Sequence, residues 1–165
     1  MMEKSVQNLK EAFAGESQAN RKYLAFAEKA EREGYPQVAR LFRAAAEAET
    51  VHALNHLRTL KAIQSTQENL KEAVSGETAE FLEMYPRMIA AAQAEGHKEA
   101  ERTFNFANEV EKVHARLFQK ALKNLANKEL VDIFVCSVCG HTVEGEAPDK
   151  CPICNAVKKL FKRID

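Results

Sequence analysis

Tryptophan is absent from this chain of 165 residues, and turn-formers are scarce, with six glycines and four prolines. So small a supply argues against a many-stranded all-β chain. An excess of charge of either sign is also missing, since 24 basic side chains face 24 acidic ones. That balance leaves no electrostatic footprint for nucleic acid or for an anionic membrane, and neither is expected as a partner. No apolar run approaches the roughly 18 residues that a membrane span needs. The opening Met1-Met2-Glu3-Lys4 leads into no apolar segment, so no export leader is expected. Cysteine is missing until Cys136-Ser-Val-Cys139 and Cys151-Pro-Ile-Cys154, and none is left over. Without an export signal, that spacing reads as a metal site rather than as disulfides.

What is abundant is helix former. Ala, Glu, Lys, Leu and Gln dominate residues 1 to about 130. A first helix is expected from an N-cap at Ser5 to about Glu33, stopped by Gly34. Pro36 fits the first turn of a second helix that ends near Leu60. A third runs from near Thr66 to before Gly96, and a fourth from about Lys98 to about Asn127. Helices of roughly 25 to 30 residues are typical of four-helix bundles.

The chain repeats itself. Asn8-Leu9-Lys10-Glu11-Ala12 returns as Asn69-Leu70-Lys71-Glu72-Ala73, and Gly15-Glu16 as Gly76-Glu77. Later, Gly34 matches Gly96, and Glu49-Thr-Val-His52 matches Glu111-Lys-Val-His114. The register slips by one residue between Glu77 and Gly96, a stretch that holds Met84-Tyr85-Pro86. A one-residue insertion beside a helical proline predicts a kink or a π-bulge. Two related helical hairpins suggest a bundle with pseudo-two-fold symmetry. The link from Leu57 to Thr66 fits either a long return along the bundle or a tight turn.

Of five histidines, only His52 and His114 follow a Glu by three residues, Glu49 and Glu111, which puts each pair on one helix face. Glu16 and Glu77 are the repeat-related acids of the other two helices. This is the donor set of ferritin-like dimetal carboxylate proteins: one Glu from each of two helices and Glu-x-x-His from each of the others. Four carboxylates balance two divalent ions, and each imidazole adds a neutral nitrogen ligand. Any single Glu-x-x-His on a Glu-rich helix is more often an ordinary solvated pair. Its recurrence at repeat-equivalent positions, flanked by Ala45, Ala46, Ala48 and Val51 or by Phe106, Ala107, Val110 and Val113, is not expected of solvated pairs, because unpaired buried charge is costly. Glu80 has no acidic counterpart, since Ala19 stands in its place, and it is free to compensate the charge added on oxidation. Tyr23, seven residues after Glu16, shares its face, Tyr85 lies five residues after Glu80, and each offers a phenol as a hydrogen-bond donor to a ligand carboxylate. His56, His97 and His141 read as surface or local packing residues.

From about Asp132 helical periodicity stops, and Phe134-Val135 reads as strand. So small a segment needs a staple. Gly140 and Asn155, each following the second cysteine of a pair, tolerate positive φ and let backbone N–H groups turn toward sulfur. Two such knuckles build a tetrahedral thiolate site suited to iron or to structural zinc.

Taken together, Ala14-Gly15-Glu16-Ser17-Gln18-Ala19, Glu49-x-x-His52, Gly76-Glu77-x-x-Glu80, Met84-Tyr85-Pro86, Glu111-x-x-His114 and the four-cysteine module resemble the rubrerythrin family over essentially the whole chain. The resemblance implies an all-α, ferritin-like four-helix bundle over residues 1–131 and a small β-rich, rubredoxin-like domain over 132–165. It implies two non-haem irons, oxo- or hydroxo-bridged when oxidised, and one iron among Cys136, Cys139, Cys151 and Cys154, with zinc as a substitute. It implies a peroxidase that reduces hydrogen peroxide to water, fed by a separate NAD(P)H-linked reductase or a rubredoxin, in a cytoplasmic homodimer or larger oligomer that defends against oxidative stress. Glu49 and Glu111 are then expected to bridge the irons, Glu16 to bind the first, and Glu77 with His114 the second. Glu80 when oxidised and His52 when reduced complete the first iron, and Tyr23 and Tyr85 flank the site. The competing readings are a ferritin-like ferroxidase with a structural zinc ribbon, a zinc-dependent interaction module, and a diiron oxidase acting on dioxygen.

Overall fold

The computed structural model describes residues 2–165, which form two compact units, one reaching to Gln64 and one spanning Ser65–Asp165. The first is a helical hairpin of α1 (Met2–Arg32) and α2 (Pro36–Thr59). α1 starts before Ser5, which lies inside the helix rather than capping it, because Glu3 and Lys4 extend the first turn. The two helices meet through small residues: Ala27, Ala30, Ala39, Ala46 and Ala53 are buried. Methyl-sized side chains let the backbones approach closely, and one larger residue works as a cross-tie. Asn20 is buried and donates from Nδ2 to the Ala46 carbonyl at 2.7 Å and to Thr50 Oγ1 at 2.9 Å. Tyr23, Phe26 and Phe42 form an aromatic cluster, with Phe26 and Phe42 edge to face at 5.6 Å.

The second unit begins with α3 (Thr66–Ala79), capped by Ser65, whose hydroxyl accepts the Glu68 N–H at 3.2 Å. The helix then widens into a π-helical turn, Glu80–Met84, before α4 (Tyr85–Ala94). This is the slip in the repeat made visible. One extra residue is taken up as a bulge, and Pro86 falls in the first turn of α4, beside the bulge, where the regular i→i−4 ladder is already interrupted. α5 (Lys98–Lys123) follows and ends at Asn124, short of the expected Asn127. Gly34 and Gly96 end the repeat-related helices in the same way. Both have positive φ, 81° and 68°. In each, the next residue's N–H reaches back to a buried alanine carbonyl, Tyr35 to Ala30 at 2.8 Å and His97 to Ala92 at 2.9 Å. His97 caps α5 by accepting the Ala100 N–H, the local role expected of it.

The same unit closes with a three-stranded antiparallel sheet in the order β2-β1-β3, built from β1 (Ile133–Cys136), β2 (Thr142–Glu144) and β3 (Phe161–Ile164). Among the described residues, no helix is long and apolar enough to cross a membrane.

Candidate metal centres

The i, i+3 spacing on α2 and on α5 produces the same local geometry twice. His52 Nδ1 lies 3.0 Å from Glu49 Oε2, and His114 Nδ1 lies 2.7 Å from Glu111 Oε2. Each pair is joined by one acid from the other helix of its own hairpin. Glu16, Glu49 and His52 bring their donor atoms within 4.8 Å of one another, and so do Glu77, Glu111 and His114. The repeat has therefore become two triads of identical composition, each with hard oxygens and one imidazole nitrogen, a set that suits a first-row divalent ion. Asn20 sits one turn beyond Glu16, and its bonds to Ala46 and Thr50 fix α1 against the turn of α2 that carries Glu49. The sequence offered no sign of Asn20, because its repeat counterpart is Phe81.

The triads differ in enclosure. Glu77, Glu111 and His114 are all half-buried, whereas the His52 side chain is 55% exposed. The apolar flank expected around Glu49 is only partly covered: Ala46 is buried, while Ala48 and Val51 face solvent. A two-helix hairpin buries only the stripe where its helices meet, so the flanking positions stay open.

Electrostatics concentrate on the second triad. Burial, then the Glu111 carboxylate, push the Glu77 carboxyl above its ordinary range, with His114 pulling the other way. Glu80, at the start of the π-turn, is raised by burial and by Glu77. Glu80 is not one of the triad donors, yet it feels Glu77 and His114. Tyr85 is raised by burial and by the charges of Glu111, Glu80 and Glu77, and its ring packs 6.4 Å from Phe104. Tyr23 lies instead in the aromatic cluster of the first hairpin. Glu77 and Glu80, half-buried beside one imidazole, both resist ionisation, and a bound cation reverses that preference. A cleft of about 400 Å³ opens beside Glu77 and His114, with Leu70, Leu117, Phe118 and Ile133 in its walls.

The four cysteines converge as expected. Their sulfurs lie within 4.8 Å of one another, with Cys136–Cys154 and Cys139–Cys151 each at 3.6 Å, and all four are free thiols. A tetrahedron with metal–sulfur bonds of about 2.3 Å has edges of about 3.8 Å, so the arrangement fits one ion. Gly140 (φ 85°) and Asn155 (φ 62°) turn the two knuckles. The N–H groups of Val138, Cys139, His141 and Ala156 hydrogen-bond to the sulfurs, with those of Val138 and Cys139 on Cys136. Cys136 and Cys151 are buried, and His141 packs edge to face on Phe161.

This module rests on α5 within its own unit. Thr142 Oγ1 lies 2.9 Å from His114 Nε2, and Glu144 forms an ion pair with Lys120. Gly140 faces Val110, whose Cγ1 stands 3.7 Å from the position a Cβ would take. Thr142 and Glu144 carried no signal in the sequence, since a threonine and a glutamate in a short strand are unremarkable until the strand docks.

Comparison with known proteins agrees with this donor chemistry. The family model described as Rubrerythrin matches residues 7–122, and the one described as the rubredoxin-like domain of rubrerythrin matches 134–162. Rubrerythrin-2 of Clostridium acetobutylicum is 39% identical over 93% of each chain. Nigerythrin of Nitratidesulfovibrio vulgaris is 35% identical over 95% of this chain and 85% of its own. Solved structures of nigerythrin, one titled as its mixed-valent state and one as its fully reduced, all-ferrous state, align with TM-scores of 0.60 and 0.61 over 96% of this chain and 86% of theirs. With carboxylate–histidine clusters of the kind that suits diiron and a four-cysteine site of the kind that suits a single iron, the chain belongs to the rubrerythrin family.

Proposed function

We propose that the chain is a diiron peroxidase that reduces hydrogen peroxide to water. The observation that carries this reading is the presence, in one compact unit, of a carboxylate–histidine triad and a four-thiolate site. A storage or ferroxidase protein has no use for a one-electron site beside its oxygen-ligated iron, whereas a peroxidase consumes two electrons and two protons for each peroxide and must be refilled. The functional modules are residues 1–131 and 132–165.

The diiron centre, when bound, supplies two electrons at one place. The chain's residues supply everything else. Glu16, Glu49 and His52 would hold one iron and Glu77, Glu111 and His114 the other, with Glu49 and Glu111 as the carboxylates that would be shared between them. The support is their repeat-related positions and equal composition. Glu80 in the oxidised state and His52 in the reduced state would complete the ligands of the first iron. The position of Glu80 at the π-turn, close enough to feel Glu77 and His114, supports that role. Tyr85, which feels the charges of Glu77, Glu80 and Glu111, keeps its proton and donates a hydrogen bond to a ligand carboxylate, and Tyr23 serves the Glu16 side. Cys136, Cys139, Cys151 and Cys154 would hold one iron, which would supply one-electron exchange with a separate NAD(P)H-linked reductase or a rubredoxin. The protein works in the cytoplasm as a homodimer or larger assembly.

Rapid mixing of the fully reduced, iron-loaded chain with peroxide or with dioxygen tests the activity. Peroxide is expected to oxidise the diiron centre faster. Oxidation that is faster with dioxygen would make the protein an oxidase.

A further inference from the structure

We propose that Thr142 couples the four-cysteine module to His114, fixing the proton of that imidazole for metal binding and carrying the hydrogen-bonded route by which electrons arrive. This rests on the diiron reading for the identity of what His114 holds.

The two ring nitrogens of His114 face different ways. Nδ1 is aimed at Glu111 Oε2 (2.7 Å) and Glu77 Oε2 (3.8 Å), so it is the nitrogen that meets a metal. Its lone pair is available only when the ring proton sits on Nε2, and Nε2 lies 2.9 Å from Thr142 Oγ1. The hydroxyl has one hydrogen to give, and the Gly140 carbonyl takes it at 3.1 Å. Thr142 therefore accepts from His114 and donates to Gly140, and no other arrangement of protons satisfies all three groups around a metal-binding imidazole. Ligating histidines are held in this way by an acceptor on their second nitrogen. Here the acceptor comes from the electron-carrying module.

The route continues without a gap. Gly140 is bonded to Cys139, and the His141 N–H in between hydrogen-bonds to the Cys139 sulfur. The short run Gly140-His141-Thr142 thus holds a thiolate at one end and an imidazole at the other. From sulfur to Nδ1 the path crosses the Gly140–His141 peptide unit and three hydrogen bonds, those of His141 N–H to sulfur, Thr142 Oγ1 to the Gly140 carbonyl and His114 Nε2 to Thr142 Oγ1. β2 is fastened to α5 at both ends, by Thr142 on His114 and by Glu144 on Lys120, and Val110 backs Gly140. In the transfer itself, ferrous iron among the cysteines becomes ferric, and one ferric ion held by Glu77, Glu111 and His114 becomes ferrous. The protons of Thr142 and His114 stay in place, and no bond breaks.

Thr142→Val keeps the shape and removes the hydroxyl, while Thr142→Ser keeps the hydroxyl. In the full chain, ferrous titration of the triad should show about 10- to 100-fold weaker binding for the Val variant and near-native binding for the Ser variant. After one-electron injection at the cysteine iron, its reoxidation by the diiron centre should be slower in the Val variant alone. In zinc-loaded protein, nitrogen-15 NMR should show a protected His114 Nε2 proton that Thr142→Val exposes to solvent exchange and Thr142→Ser protects again. A His114 proton indifferent to Thr142→Val, an unchanged rate of electron arrival, or a Ser variant that restores nothing would each overturn the coupling. A wild-type triad that takes no iron would overturn the diiron reading itself, and the coupling with it.

Discussion

Cys151→Ser will unfold the C-terminal module and leave the helices standing. The module offers three strands of three or four residues and a 3-10 turn, and its buried side chains are Cys136, Ala147 and Cys151. A core of two thiols and a methyl group cannot offset the entropy of ordering the segment from 132 to 165. Binding of a structural metal is worth about 10–16 kcal/mol in comparable small domains, so the metal is the core. Cys151 is fully buried and anchors the second knuckle, accepting the Asn155 N–H on its carbonyl at 3.0 Å and donating its own N–H to Ala156 at 2.8 Å. A hydroxyl there loses one metal ligand and strands a polar group among crowded sulfurs. Amide exchange should lose protection across β1, β2 and β3, iron should fall by one equivalent per chain, and the helical circular dichroism should persist. A variant that keeps its protected sheet without metal would refute the claim that the ion holds the module together.

Glu111→Gln should empty the carboxylate–histidine sites. The substitution preserves shape but removes the charge that, in this account, two cations share, so iron should fall from about three per chain to about one, the thiolate-bound ion. The same substitution should act in the opposite direction on the metal-free chain. There, burial and the Glu111 carboxylate hold the Glu77 carboxyl above its ordinary pKa, and burial and Glu77 do the same to Glu80. An acid whose folded pKa is raised binds its proton more tightly in the folded state. It therefore burdens the fold above that raised pKa and is relieved as pH falls through it. Metal-free wild-type protein should become more stable on going from about pH 7 to about pH 5, the range just above ordinary carboxylate values. Glu111→Gln should flatten that rise by taking away one of its causes. The loaded protein should show the reverse slope, because protons compete with the cations for the same oxygens. Thermal midpoints with and without metal across this range provide the check.

Much of the architecture can be read from pattern, because repeats and helix stops are local. The offset between Glu77 and Gly96 announced the π-turn at Glu80–Met84, since a helix absorbs one extra residue most cheaply as a bulge. Gly34 and Gly96 ended helices where expected, and Gly140 and Asn155 turned the knuckles. Helix ends without glycine were less legible. α1 began before Ser5, because nothing at Glu3 or Lys4 opposes helix, and α5 stopped at Lys123 although Asn124 to Asn127 kept a helix-compatible composition. The residues that escaped notice act at long range. Asn20 ties α1 to α2 and Thr142 ties β2 to α5, and neither belongs to a repeat or a spacing rule. His52 looked as enclosed as His114, but its 55% exposure against 27% comes from what packs around each helix, which periodicity does not encode.

The proposed diiron centre requires that the two repeat-related triads serve one pair of coupled irons. Mössbauer spectroscopy of oxidised, iron-57-loaded protein tests it most directly. Two ferric ions in oxygen and nitrogen coordination, coupled to a diamagnetic ground state, are expected together with one uncoupled ferric ion in sulfur coordination. Two magnetically isolated oxygen-ligated irons, or sulfur-ligated iron alone, would contradict it.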